Sequence, residues 1–160
     1  MNAQEQVAIT VTVNGDQIVA NVDVRMLASD FLRHQVGLTG THVGCVHGVC
    51  GACTIVVDDA AVRSCLMLAP QLDGCRVETV ESLGEADGLG ALQRAMWENH
   101  GLQCGFCTPG ILMTVEAGQR AGRSAAQIID ESLSGHLCRC TGYQNIRTAV
   151  EAYFAEGAQA

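Results

Sequence analysis

Residues 44–54 read Gly-Cys-Val-His-Gly-Val-Cys-Gly-Ala-Cys-Thr, and this stretch decides the fold. Cys45, Cys50 and Cys53 fall together in it, with Gly44, Gly48, Gly51 and Ala52 beside them. Missing or minimal side chains let a backbone wrap closely around whatever the thiols bind. Downstream, Thr54-Ile-Val-Val57 reads as a strand, Asp58-Asp59 as its turn and Ala61 to Arg63 as the return. That hairpin would bring Cys65 back to the end where Cys53 sits.

A Cys-x4-Cys-x2-Cys run followed by a distant cysteine is the plant-type [2Fe–2S] spacing. Structural zinc sites more often pair Cys-x2-Cys with a second such pair or with histidine, which makes zinc the weaker alternative. His42 and His47 read as solvated loop histidines, since four cysteines already complete a ligand set. Cys75 is most simply a small buried apolar residue; as a fourth ligand it is the alternative to Cys65, which the hairpin favours.

The remaining cysteines form a second group, Cys104-x2-Cys107 and Cys138-x-Cys140. Taken alone, this group could hold zinc or work as a redox dithiol. A thioredoxin-like dithiol expects a βαβ setting, which the sequence lacks. Cys107-Thr108 and Cys140-Thr141 each precede a helical pattern, and a helix N-terminus favours an anionic cluster. Arg139, between two of these cysteines, reads as solvated, with charge tuning or docking as the alternative.

Composition narrows the function. The chain has 160 residues and a net charge of −8, and all 9 basic residues are arginine. Without lysine there is no Walker-A loop, Schiff base or lysine general base. An acidic chain argues against nucleic-acid or anionic-membrane partners. A hydrophobic content of 48% supports a packed core, yet no apolar run could span a bilayer. The polar, acidic N-terminus shows no secretory signal, so a cytoplasmic location is expected. In that reducing compartment, 9 cysteines point to metal rather than disulfides.

The pattern divides the chain. Val7, Ile9, Val11 and Val13 alternate as a strand, Asn14-Gly15-Asp16 signals a hairpin, and Gln17 to Val22 returns. A helix over 25–35, capped by Asp23 or a neighbour, and a strand from Arg76 to Val80 complete a small mixed sheet with one helix across it. Past the Glu81–Leu89 boundary, helices are expected over Gly90–Asn99, Pro109–Arg120, Ser124–Ser134 and Gly142–Glu156. The unit helix–Gly-x-x-Cys…Cys-Thr–helix occurs twice, offset by 34 residues at both the glycine and the first cysteine. The expectation is an α+β chain: residues 1–80 carry the first cysteine group. Residues 85–160 form a four-helix bundle with approximate two-fold symmetry.

Gly44–Thr54, Gln103-Cys-Gly-Phe-Cys-Thr-Pro-Gly110 and Leu137-Cys-Arg-Cys-Thr-Gly-Tyr143 together resemble the signatures of one family. It is the iron–sulfur subunit of molybdenum hydroxylases, the xanthine dehydrogenase and aldehyde oxidoreductase family. The resemblance covers nearly the whole chain; His42 and Val46 stand where the family often has polar or charged residues. It implies a plant-ferredoxin-like β-grasp domain with an outer [2Fe–2S] cluster on Cys45, Cys50, Cys53 and Cys65. It also implies a helical domain with an inner cluster on Cys104, Cys107, Cys138 and Cys140. By the same resemblance, Gln103 and Cys140 approach a molybdopterin, in its cytosine dinucleotide form, on a separate large subunit. Electrons would then pass through the inner and outer clusters to FAD on a medium subunit or to another acceptor. The rival functions are a free-standing two-cluster ferredoxin-like carrier and a zinc-binding interaction module.

Overall fold

Two tight hairpins set the frame. Strand β1 (Gln6–Val13) turns into β2 (Asp16–Asp23) through Asn14 and Gly15, at φ of 51° and 91°. Both central residues in the left-handed region match the two-residue hairpin that Asn-Gly favours. Strand β3 (Thr54–Val57) turns into β4 (Ala60–Arg63) the same way, with Asp58 and Asp59 at φ of 46° and 70°. Strand β5 (Arg76–Glu78) runs parallel to β1 and antiparallel to β3. The resulting sheet has the order β2-β1-β5-β3-β4. The computed structural model describes residues 5–84 and 88–157.

Alternation in β1 does what its pattern promised. Ile9, Val11 and Val13 are buried against Phe31, Leu32, Ile55, Leu72 and Val77, whereas Val7 at the strand's outer end is exposed. The helix across this face is α1 (Ala28–Asp30), which continues as a π-helical stretch over Phe31–Val36 and stops at Gly37. It starts later than expected. Asp23 caps the turn instead of a helix, its carboxylate accepting the Arg25 N–H at 2.8 Å.

Helices follow the sheet. They are α2 (Ala91–Glu98), α3 (Thr108–Arg120), α4 (Ala125–Gln127) and α5 (Gln144–Gly157). Ser124 and Gln127 cap α4 reciprocally, after which the chain continues as a π-helical stretch (Ile128–Ser132) and a 3-10 turn (Leu133–Gly135). Their apolar faces meet in a second core around Met96, Ile111, Val115, Ile128 and Ile146. The expected boundary at Glu81–Leu89 lies partly outside the described residues. Among those described, no helix is long and apolar enough to cross a membrane.

The fourth helix departs from the expected repeat. Cys107 stands at the N-cap of α3, but α5 begins only at Gln144. Gly142 and Tyr143 intervene at φ of 65° and 68°, so helical backbone cannot start at Thr141 or Gly142. Cys140 therefore does not sit at a helix N-terminus as Cys107 does.

The two cores touch through a third cluster of Val56, Met113 and Ala117. A Cβ on Gly110 would lie 2.2 Å from the Gly51 carbonyl oxygen, so the first turn of α3 rests directly on the first cysteine loop. Arg120 of α3 closes the contact with two hydrogen bonds to Glu78 of β5, at 2.7 and 2.8 Å.

Candidate metal centres

The β3–β4 hairpin positions half of the first thiol group. Cys53 precedes β3, Cys65 follows β4, and both are buried. The Ser64 N–H and hydroxyl both donate to the Cys53 carbonyl, at 3.2 and 2.7 Å, and lock the hairpin base. The Cys53 and Cys65 thiols consequently meet. Burial and that contact push Cys65 up to about 11.

Cys45 and Cys50 form the other half. The Cys50 N–H donates to Cys45 Sγ at 3.4 Å. Backbone N–H groups of Cys50 and His47 outweigh burial and lower Cys45 to about 6. Such N–H donors are what an anionic, metal-bound thiolate needs. Gly51 is essential to the loop: its φ is 76°, and a Cβ there would fall 2.5 Å from His136 Nδ1. Val46 is exposed and holds φ of 58°, a strained conformation for a β-branched residue.

The second group assembles from two loops. Cys104 and Cys140 are exposed, with Sγ atoms 3.5 Å apart. Cys107 and Cys138 also meet, and burial together with that neighbour pushes Cys107 up to about 12. Burial raises Cys138 too, but the Thr141 hydroxyl and the amides of Thr141 and Cys140 outweigh it and hold that thiol below its ordinary value. Gln103 is exposed beside Cys104, and Arg139 is exposed as well.

Among the described residues, no three His, Cys, Asp or Glu side chains converge as a site for a single metal ion. The thiols come as pairs instead: Cys45 with Cys50, Cys53 with Cys65, Cys104 with Cys140, and Cys107 with Cys138. A two-iron core takes one thiolate pair at each iron, so this donor set fits [2Fe–2S] better than zinc. Buried thiols that would otherwise stay protonated are deprotonated by such a cationic core. Cys75 lies apart, half-buried, its thiol facing the carbonyls of Gln71 and Asp73.

Several contacts between the two groups escaped sequence reasoning. The Leu137 N–H donates to the Cys50 carbonyl at 2.9 Å. His42 is not merely solvated: its Nδ1–H donates to the Phe106 carbonyl at 2.8 Å, and its ring stacks on Phe106 at 4.9 Å. His136 is buried against Gly51 and hydrogen-bonds Thr114 at 2.8 Å, while burial lowers it to about 3 and keeps it neutral. Arg63 bridges Thr54 and the Gly135 carbonyl. Only the positions of Phe106 and Leu137, inside the two cysteine motifs, could have signalled any of this.

Two family models match the chain in turn. A family model described as "2Fe-2S iron-sulfur cluster binding domain" matches residues 11–83, and one described as "[2Fe-2S] binding domain" matches 79–151. The chain is 56% identical to the caffeine dehydrogenase subunit gamma of Pseudomonas sp. (strain CBB1), covering 90% of this chain and 89% of that one. It is 37% identical to the aldehyde oxidoreductase iron-sulfur-binding subunit PaoA of Escherichia coli (strain K12), covering 93% and 72%. A chain of quinoline 2-oxidoreductase from Pseudomonas putida 86 superposes with a TM-score of 0.89 at 46% identity, covering 98% of both chains.

Proposed function

The chain belongs to the small iron–sulfur subunits of the molybdenum hydroxylases, and from that premise we propose which residues carry its electrons. It is an electron-transfer subunit of a molybdenum-dependent oxidoreductase and works through two [2Fe–2S] clusters. Cys45, Cys50, Cys53 and Cys65 hold the first centre; Cys104, Cys107, Cys138 and Cys140 hold the second. The observation that carries this assignment is the pairing of eight thiols into two sets, with Cys75 apart from both. Each cluster, when bound, supplies a one-electron acceptor.

The chain's own residues hold, insulate and align. Loop amides offset the negative charge on Cys45, and burial keeps water from Cys53, Cys65 and Cys107. The Leu137 N–H on the Cys50 carbonyl joins a first-centre ligand to the residue beside second-centre Cys138. The exposed Cys104, Cys140 and Gln103 form the end that faces the pterin of a large subunit. The exposed Val46 and Val49, in the loop of the first centre, face a medium FAD-binding subunit or another acceptor. Relatives named subunit gamma and iron-sulfur-binding subunit support a heteromer of this kind.

The finer architecture belongs to the same proposal. Residues 1–80 form a β-grasp, ferredoxin-like domain, for which the five-stranded order β2-β1-β5-β3-β4 speaks. Residues 85–160 form a four-helix bundle whose approximate two-fold is broken at Gly142 and Tyr143. The complex works in the cytoplasm, with the pterin as its cytosine dinucleotide.

Iron and acid-labile sulfide analysis tests the assignment. About four iron and four sulfide per chain are expected for two [2Fe–2S] clusters. Zinc without sulfide would refute the assignment. Copurification with a molybdenum-containing chain tests the partner.

A further inference from the structure

Thr141 makes a contact that the ligand assignment does not use. Its hydroxyl oxygen lies 3.2 Å from Cys138 Sγ and accepts the Tyr143 N–H at 3.1 Å. A hydroxyl has one proton and two lone pairs. With a lone pair engaged by Tyr143, the proton is free to point at sulfur, and a metal-bound thiolate can only accept it.

The local backbone enforces this geometry. Gly142 and Tyr143, both in the left-handed region, turn the Tyr143 N–H back onto Thr141. The Tyr143 hydroxyl then accepts the Cys138 N–H at 2.9 Å and donates to the His136 carbonyl at 3.0 Å. Cys138 and Thr141 are thereby held at both ends of one turn. Among the described residues, Thr141 supplies the only side-chain hydroxyl bonded to any of the eight paired thiols. Thr108, its counterpart in the Cys-Thr repeat, has a buried hydroxyl with no partner. The repeat is thus symmetric in sequence and asymmetric in what its threonines do.

We propose that Thr141 sets the reduction potential of the second centre by donating a hydrogen bond to Cys138 Sγ. The proposal rests on the reading of Cys104, Cys107, Cys138 and Cys140 as that centre's ligands. Reduction adds one electron; no bond to protein breaks and no proton moves. Part of the added charge falls on the ligand sulfurs, so a donor on sulfur stabilises the reduced state more than the oxidised one. Thr141 therefore makes the second centre easier to reduce and leaves the first unaffected.

The test is an anaerobic, mediated dithionite titration of the assembled complex, with EPR separating the two centres. Thr141→Val keeps the shape and deletes the donor; Thr141→Ser restores the donor. At a fixed ambient potential, the reduced-to-oxidised ratio of the second centre should fall about tenfold in the valine variant, the scale of one bond to a charged group. For a one-electron couple that equals a midpoint about 59 mV lower. Serine should return the ratio to near the native value, and the first centre should not move in either variant. Should the valine variant fail to assemble its second centre, Thr141→Ala removes the same donor with less bulk and must show the same fall. A wild-type complex without any second-centre signal would refute the ligand reading, and this proposal with it. A second-centre signal whose ratio is unmoved in valine or alanine refutes the role of Thr141 alone.

Discussion

The backbone carbonyl of Cys50 accepts the backbone N–H of Leu137 at 2.9 Å. One partner belongs to the first thiol group, and the other is bonded directly to a member of the second, Cys138. Along this route between the two groups, every other link is a covalent bond. Leu137→Pro deletes the donor. His136 already has φ of −121° and ψ of 129°, the extended backbone that a following proline requires. Both EPR signals should persist, while reduction of the first centre after the second slows in freeze-quench experiments. Leu137→Ala keeps the N–H and should behave as the native chain does; equal rates in the two variants would remove this bond from the route.

Cys75 lies outside both groups, and its thiol faces the Gln71 and Asp73 carbonyls and the Asp58 carboxylate. Cys75→Ala should keep full iron and sulfide content and cost roughly 1 kcal/mol or less. Cys104→Ser, in contrast, should abolish the second centre's EPR signal and largely stop turnover of the complex. Loss of the first centre in the Cys75 variant would show that Cys65 is not its fourth ligand.

The two groups of paired thiols were legible in the sequence because the cysteines fall at short, regular spacings, and the hairpin follows from the turn chemistry of Asp58-Asp59. The α3 N-terminus was equally readable, since Pro109 can only begin a helix there. Less visible was anything that depends on one loop meeting another. His42 looked solvated because its partner, Phe106, is 64 residues away. The delayed start of α5 depends on Tyr143 taking a left-handed conformation that no residue-type preference announces. Its gain is tertiary: a hydroxyl placed on the Cys138 N–H.

The Glu78–Arg120 pair should couple stability to pH. Arg120's hydrogen bonds hold the Glu78 carboxyl below its ordinary value of 4.5. In acid the unfolded chain binds that proton before the folded one does. The pair's contribution is therefore complete above pH 4.5 and is lost as pH falls through the folded value. Glu78→Gln should cost about 1 kcal/mol at pH 7 after allowance for solvent screening, and should flatten the acid side of a melting-temperature profile. An acid limb as steep as the native one would mean that other carboxylates set it.

Gly110 is the point where packing leaves no slack. A Cβ there would meet the Gly51 carbonyl oxygen at 2.2 Å and Ala52 backbone atoms at 3.1 Å. Backbone cannot rotate away as a side chain can, so Gly110→Ala must lift α3 from the first cysteine loop, at a cost of about 1–3 kcal/mol. That movement reaches both thiol groups, because Gly51 adjoins Cys50 and α3 starts beside Cys107. A lower melting temperature is expected, together with a change in the magnetic interaction between the reduced centres, read by EPR. Gly157→Ala, where the nearest atom is Gln119 Nε2 at 4.0 Å, should leave the melting temperature unchanged or slightly raised. If Gly110→Ala matched Gly157→Ala in both readouts, the α3–loop contact would not be what fixes the distance between the centres.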